Sequence, residues 1–500
     1  MIKDKRIFDC IIIGSGMGGM TAASYMANAG YSTLVLEAGF SLGGCSSSYK
    51  RKGFVFESGA TTLIGFDDHQ PLRILEDDLG IIIPKVPIEP SMSVHINGRT
   101  ITRFKDRNSW IDESIRHFGE SEAQKSFWDL AFRVADTVWK VSGKNHFFPP
   151  QRPTEWLRLM KNDPRDVWVL PYALRSVKSV AVEKGISNPE FFSFLDEQLM
   201  ISAQATSPDT PFLFGAPACT YTNATNYSVP GGLVEMVNTL SEFIGQNGGE
   251  VKNKEKVISV EKHDNLFTVL SEKAGESYSY QTRIVISNIP VWNMSDITHG
   301  KMADYFEKEG HKYEKAWGAF TMGVAARDCF DADIPLHHQI HLREEDKIEG
   351  LNSDSIFVSL SHPDDPVRSP KGYRTINVST HTDPDWWFRL NGNYETYKER
   401  VQEQILRIMV ERLDGFNRED IEAVFSSTPV TWNNWVYRKK GRVGGIPQQM
   451  DRSLLDWTPS ETPFKGLYLV GDTVFPGQGI PGVTLSGINV YYRIQNHLNQ

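Results

Sequence analysis

The spacing of apolar and polar positions changes several times along the chain, and each change predicts an element. Residues 8–13 form a run that is apolar but for Asp9 and ends on three isoleucines, the pattern of a strand buried on both faces of a parallel sheet. Residues 20–28 then read as a helix that stops at Gly30, and "STLVLE" reads as a second strand ending on Glu37. A helix is predicted after Pro230-Gly231-Gly232, with a stop at Gly248-Gly249 and a strand through Val257 and Val260. Between these lie a helix-rich, aromatic stretch ("SFWDLAFRVADTVWKV", "WVLPYALRSV") and a mixed one. The mixed stretch holds the strands "SIFVSLSH" and "YRTINVSTH" and a long helix over 394–413. Near the end, "GLYLVGD" predicts a strand over 467–470, and Pro481-Gly482-Val483 opens a last helix. Alternation of buried strands with helices predicts an α/β fold.

Chemistry enters with the glycines. Gly14, Gly16 and Gly19 stand in G-x-G-x-x-G spacing between the first strand and its helix, with Ser15, Met17 and Gly18 completing the loop. Gly14 permits the tight turn, Gly16 lets backbone approach a pyrophosphate, and Gly19 lets helix and strand pack closely. Phosphates there would meet free N–H groups and the positive end of a helix dipole. Glu37, ending the second strand, can accept hydrogen bonds from an adenosine ribose. Strand, glycines, helix, strand and acid in that order predict a dinucleotide site, but do not choose between NAD and FAD.

The following residues add to this. Ala38 is followed by a second glycine pair, Gly43-Gly44, then Cys45, then "FESGAT" with Gly59 and Ala60. A second glycine pair lets backbone approach a longer cofactor again, further along its length. With these motifs the sequence resembles the FAD-dependent amine-oxidase and phytoene-desaturase superfamily over nearly its whole length, most strongly in the first 75 and last 40 residues.

That resemblance implies a discontinuous Rossmann-type FAD-binding domain, glutathione-reductase-like, with an inserted α+β substrate domain. The FAD domain would comprise 1–75, 220–300 and 440–500, and the substrate domain 76–219 and 301–439. It implies that Gly471-Asp472 meets the ribityl or phosphate part of FAD. Gly482 and Val483 would aim a helix N-terminus at the flavin, and backbone near Val257 would meet the adenine. The implied cofactor set is Gly14, Ser15, Gly16, Met17, Gly18, Gly19, Glu37, Ala38, Gly43, Gly44, Cys45, Gly59, Ala60, Val257, Gly471, Asp472, Gly482 and Val483.

Within the superfamily, "GGC", "SGAT", "FPP" and "PGGL" in order resemble the carotenoid branch, closest to the carotenoid 3′,4′-desaturase type; the tail is shared with the isomerases. Amine oxidases usually carry arginine where this chain has Cys45, so a charge contact from position 45 is missing. The resemblance implies an FAD-dependent oxidoreductase that desaturates a long apolar polyene by hydride transfer to flavin N5. The alternatives are a carotene isomerase, a retinol-saturase-like reductase, or, in another class, a non-catalytic prenyl-lipid escort protein. No catalytic acid or base is assigned, because no nucleophile–base pattern is present. The 27 Phe, 17 Tyr and 12 Trp can supply the hydrophobic tunnel that a polyene needs.

Charge and composition narrow the partners. A net charge of −9 argues against nucleic acid. Four scattered cysteines (Cys10, Cys45, Cys219, Cys329) suit a reducing compartment and neither a zinc site nor a disulfide framework. The basic start "MIKDKR" precedes an apolar run too short for a signal peptide, and no run is long enough to span a bilayer. A cytoplasmic protein is expected, with peripheral contact to the cytoplasmic face of a membrane compatible with that. "TWNNWVYRKKGR" mixes aromatic and basic residues in the manner of a bilayer-surface segment, though a solvated loop beside the core is the stronger expectation. In "LHHQIHLREED", strand spacing puts His337 and His341 on one face but too far apart for one ion, so no metal is expected.

Overall fold

The computed structural model describes residues 6–162, 164–453 and 456–498. The basic start at residues 1–5 lies outside them. Two sheets organise the chain.

The first sheet is built around Ile7–Ile13, which pairs in parallel with Thr33–Leu36 on one side and Glu276–Ser287 on the other. Glu250–Lys252 extends it beyond Thr33–Leu36, and Leu467–Leu469 runs parallel to the end of Glu276–Ser287. An antiparallel ribbon, Lys256–His263 and Leu266–Lys273, continues from Glu276–Ser287. The first strand lacks polar alternation because both of its faces are covered. Cys10 and Ile12 pack under three helices: Met17–Asn28, Val234–Gln246 and Ile480–Leu498. Ile11 and Ile13 pack on the other side with Trp292, Phe306 and Tyr313. Each such side chain contributes about 1.5–3 kcal/mol on burial.

The second sheet runs in the order Ile421–Ser427, Gly318–Arg327, Tyr373–Thr382, Ser355–Leu360, His337–His341, Met92–Ile96, Arg99–Arg103. One face, with Phe320, Met322, Ile356 and Val378, is closed by the helix Tyr394–Arg412. Helices Ser121–Ser142, Pro189–Ser202 and Phe212–Thr220 form an aromatic core beside the Met92–Ile96 end.

The predicted elements form, with local differences. The first helix begins at Met17 rather than at 20, so Gly18 and Gly19 are helical. Apolar spacing cannot reveal that turn; it is held by Asn288, whose Oδ1 accepts from the Gly19 N–H at 2.9 Å. "WVLPYALRSV" forms a 3-10 segment, Asp166–Leu174, with Pro171 inside it. The membrane-surface reading of "TWNNWVYRKKGR" loses much of its material to the interior. Trp432, Arg438 and Arg442 are buried, and Lys439 and Lys440 pair with Asp296 and Asp385, leaving Trp435 and Tyr437 exposed. The solvated-loop reading is corrected as well, since residues Pro429–Trp435 are a helix with a Thr428 cap. Other exposed apolar side chains include Trp156, Leu157, Met160, Leu170 and Leu174. No helix among the described residues is long and apolar enough to cross a membrane.

The histidines lie on a strand, His337–His341, as their spacing predicts. His338 Nδ1 is 3.0 Å from His95 Nε2, with the two rings stacked, and His337 Nδ1 is 2.9 Å from Ser359 Oγ. Among the described residues no group of three His, Cys, Asp or Glu is placed to hold a metal ion.

Candidate functional site

The first strand ends at Gly14, whose φ of +91° a side-chain-bearing residue would adopt only under strain. The chain then turns into the first helix, and Gly16 forms an isolated parallel bridge with Gly43 of the second glycine pair. A Cβ on Gly16 would lie 2.3 Å from Asn288 Nδ2. One on Gly18 would lie 2.9 Å from the Val483 carbonyl oxygen and 3.1 Å from the Gly471 nitrogen. One on Gly19 would lie 2.6 Å from the Gly14 carbonyl oxygen. The glycines therefore do more than permit a turn: they let the chain's first and last segments meet backbone to backbone.

Glu37 stitches the loops together. Its Oε2 accepts from Ser15 N–H at 2.8 Å and Ser15 Oγ at 2.7 Å, and its Oε1 accepts from Gly39 N–H at 2.6 Å. Ser15 Oγ in turn accepts from Gly43 N–H at 3.1 Å.

These segments surround a cavity of about 840 Å³, the size range of ligand sites. Of the residues selected from the sequence, Gly14, Gly16, Met17, Gly18, Glu37, Ala38, Gly43, Gly44, Cys45, Gly59, Ala60, Val257, Gly471, Asp472, Gly482 and Val483 line it. Ser15 and Gly19 do not; they stand behind the lining and hold Glu37, Gly43 and Asn288 in place. Two helix N-termini, at Met17 and at Ile480, open onto the same space, which makes it favourable for negative charge. The cavity continues beneath the second sheet, where Met200, Ile201, Phe214, Thr321, Phe357, Ser379 and His381 line it.

Asp472 has a partner that sequence reasoning missed. Arg438, buried, donates from its second guanidinium nitrogen to Asp472 Oδ2 at 2.8 Å and from Nε to the Arg442 carbonyl at 2.6 Å. It also hydrogen-bonds Cys45, whose thiol burial pushes up against the pull of that same arginine. Burial works against the Arg438 charge, yet Asp472 and Cys45 hold its pKa above the ordinary arginine range. Position 45 thus lacks its own cation but sits against one supplied nearly four hundred positions later.

Arg438 lies in the basic run that reads as a surface segment, so only its three-dimensional partners reveal it. Asn288 and Trp432 were missed likewise. Asn288 is a polar residue ending an apolar strand, a visible signal; Trp432 sits against Gly59, where a Cβ would lie 2.6 Å from its ring.

The donor set suits an extended anionic cofactor. Glycines with no room for a Cβ expose backbone N–H groups at two helix N-termini, and Arg438, Lys256 and Lys439 line the same cavity. A dinucleotide with a pyrophosphate matches that chemistry.

Comparison with known proteins agrees. The family model for flavin-containing amine oxidoreductases matches residues 17–494. The chain is similar to the chloroplastic prolycopene isomerase of Daucus carota, 26% identical over 98% of this chain and 80% of that protein. It is also similar to the all-trans-retinol 13,14-reductase of Danio rerio, 24% identical over 93% of this chain and 82% of that protein. A redesigned putrescine oxidase shares the fold, with a TM-score of 0.66 at 16% identity over 99% of this chain and all of the other. The chain belongs to the flavin-containing amine oxidoreductase family and is an FAD-dependent oxidoreductase.

Proposed function

We propose that this enzyme rearranges the double bonds of a long, apolar, conjugated polyene. The supporting observation is one continuous cavity, lined both by glycine loops and helix N-termini and by apolar side chains that include Met200, Ile201, Phe214 and Phe357. We assign 1–75, 220–300 and 440–500 to the cofactor part and 76–219 and 301–439 to the substrate part. The two-sheet arrangement supports this, since strands from both intervening stretches share the second sheet.

In this reading Gly16, Gly18 and the first helix N-terminus would hold the pyrophosphate of FAD, and Glu37 the ribose. Val257 would meet the adenine, and Arg438, Asp472, Gly482 and Val483 would hold the ribityl and flavin end. FAD supplies two-electron chemistry when bound. The chain's own tasks are to hold the polyene, align it and exclude water.

Of the outcomes expected from the sequence, cis–trans isomerisation takes precedence over desaturation, because the relative that carries that name matches 98% of this chain. Holoprotein incubated with poly-cis polyenes, both hydrocarbon and oxygenated, with FAD oxidised or reduced, should return a geometric isomer of unchanged mass from at least one of them. A product lighter by two hydrogens would restore desaturation, and one heavier by two would establish saturation. No change in any polyene offered would contradict the reading.

A further inference from the structure

Along the second sheet, side chains alternate between two environments. On Gly318–Arg327, Phe320 and Met322 pack into the apolar core, whereas Ala319 and Thr321 line the cavity. On Tyr373–Thr382, Ile376 and Val378 are core, whereas Ser379 and His381 line the cavity. Thr321 and Ser379 are register partners across the two strands, and His381 partners Ala319. The cavity therefore has a polar wall made of two hydroxyls side by side with an imidazole one pleat along.

Three neighbouring hydroxyls on this sheet, those of Ser355, Thr380 and Ser359, are satisfied within the protein. Ser355 Oγ donates to Glu197 Oε2 at 2.5 Å, Thr380 Oγ1 to the Ser355 carbonyl at 2.9 Å, and Ser359 Oγ to Thr61 Oγ1 at 2.9 Å. Among the described residues, the Thr321 and Ser379 hydroxyls and the His381 ring have no hydrogen-bond partner, and none of the three is sealed from the cavity. Burial holds His381 well down, at about 4, so near neutral pH its ring is an uncharged donor and acceptor. A pure hydrocarbon filling this space would strip water from all three groups and return nothing, and each such unmet group weakens binding by roughly tenfold.

We infer that the substrate is an oxygenated polyene, whose hydroxyl or carbonyl oxygen seats against the wall of Thr321, Ser379 and His381. This rests on the polyene reading above and names its chemical class: a chain apolar along most of its length and polar at one point.

The test uses FAD-loaded protein and two probes that differ in one group, all-trans-retinol and its 15-deoxy hydrocarbon. Dissociation constants for both are read from tryptophan quenching in one detergent buffer. The ratio of the two is compared between wild type and the variants Thr321→Val, Ser379→Ala and His381→Phe. Comparing ratios cancels the different solubilities of the probes. The near-isosteric Thr321→Val and the smaller Ser379→Ala keep the experiment usable should His381→Phe fail to fold. The preference for the oxygenated probe is expected to shrink by about tenfold in at least the variant that removes its partner. An unchanged ratio in all folded variants overturns the inference while leaving the polyene reading standing. Failure of wild type to bind either probe removes both. Variants that lose FAD but keep the ratio would show that the wall serves the cofactor, which also overturns it.

Discussion

Replacing Gly18 with alanine is expected to yield a destabilised protein that purifies without FAD. The new Cβ would lie 2.9 Å from the Val483 carbonyl oxygen and 3.1 Å from the Gly471 nitrogen, both backbone atoms that cannot swing aside as a side-chain tip can. The first and last helices would have to separate, and Gly487, whose own Cβ would sit 2.5 Å from the Gly18 carbonyl oxygen, makes that crossing tighter still. Overpacking of this kind costs on the order of 1–3 kcal/mol. The control is Gly245→Ala in the helix Val234–Gln246, where a Cβ meets nothing within 4 Å. That change should be neutral or stabilise by up to about 1 kcal/mol through helix propensity. Denaturant unfolding and the flavin-to-protein absorbance ratio of both variants read the difference.

Arg438→Met carries the second large effect. Arg438 and Asp472 form a pair whose side chains are 9% and 15% exposed, so removing the cation leaves a carboxylate nearly buried and unpaired. Breaking such a pair costs on the order of 3–5 kcal/mol. Adding Asp472→Asn should restore much of that stability, because the uncompensated charge disappears with it. FAD affinity separates stability from binding. If Arg438 supplies the charge that position 45 lacks, both the single and the double variant should bind FAD at least tenfold more weakly, as titration of apoprotein would measure. A double variant with wild-type stability and wild-type FAD affinity would reduce Arg438 to a partner for Asp472 alone.

Much of this site was legible in the sequence because its signals are local. The glycine spacing after a largely apolar strand, Glu37 at the end of the next strand, and the Gly-Asp ending near residue 472 each follow from backbone requirements within a few positions. The cavity accordingly takes in both chain ends, as the lining of Glu37 and Asp472 shows. What was not legible depends on long-range packing. Nothing local distinguishes Arg438 from Lys439 and Lys440; only the fold buries the arginine against Asp472 and leaves the lysines half-exposed against Asp296 and Asp385. Asn288 looks like an ordinary strand end until the glycine helix docks on it. The polar wall at Thr321, Ser379 and His381 is visible as alternation, but which face of that sheet meets a cavity is decided by the helix Tyr394–Arg412 covering the other.

The most direct measurement is backbone amide exchange of the apoprotein before and after FAD is added. One extended flavin nucleotide held between the chain's two ends should slow exchange together in 14–19, in 43–45 and in 471–483. Protection confined to 14–45, with the C-terminal stretch exchanging as before, would mean that the cofactor is gripped from one end only, and would contradict the account.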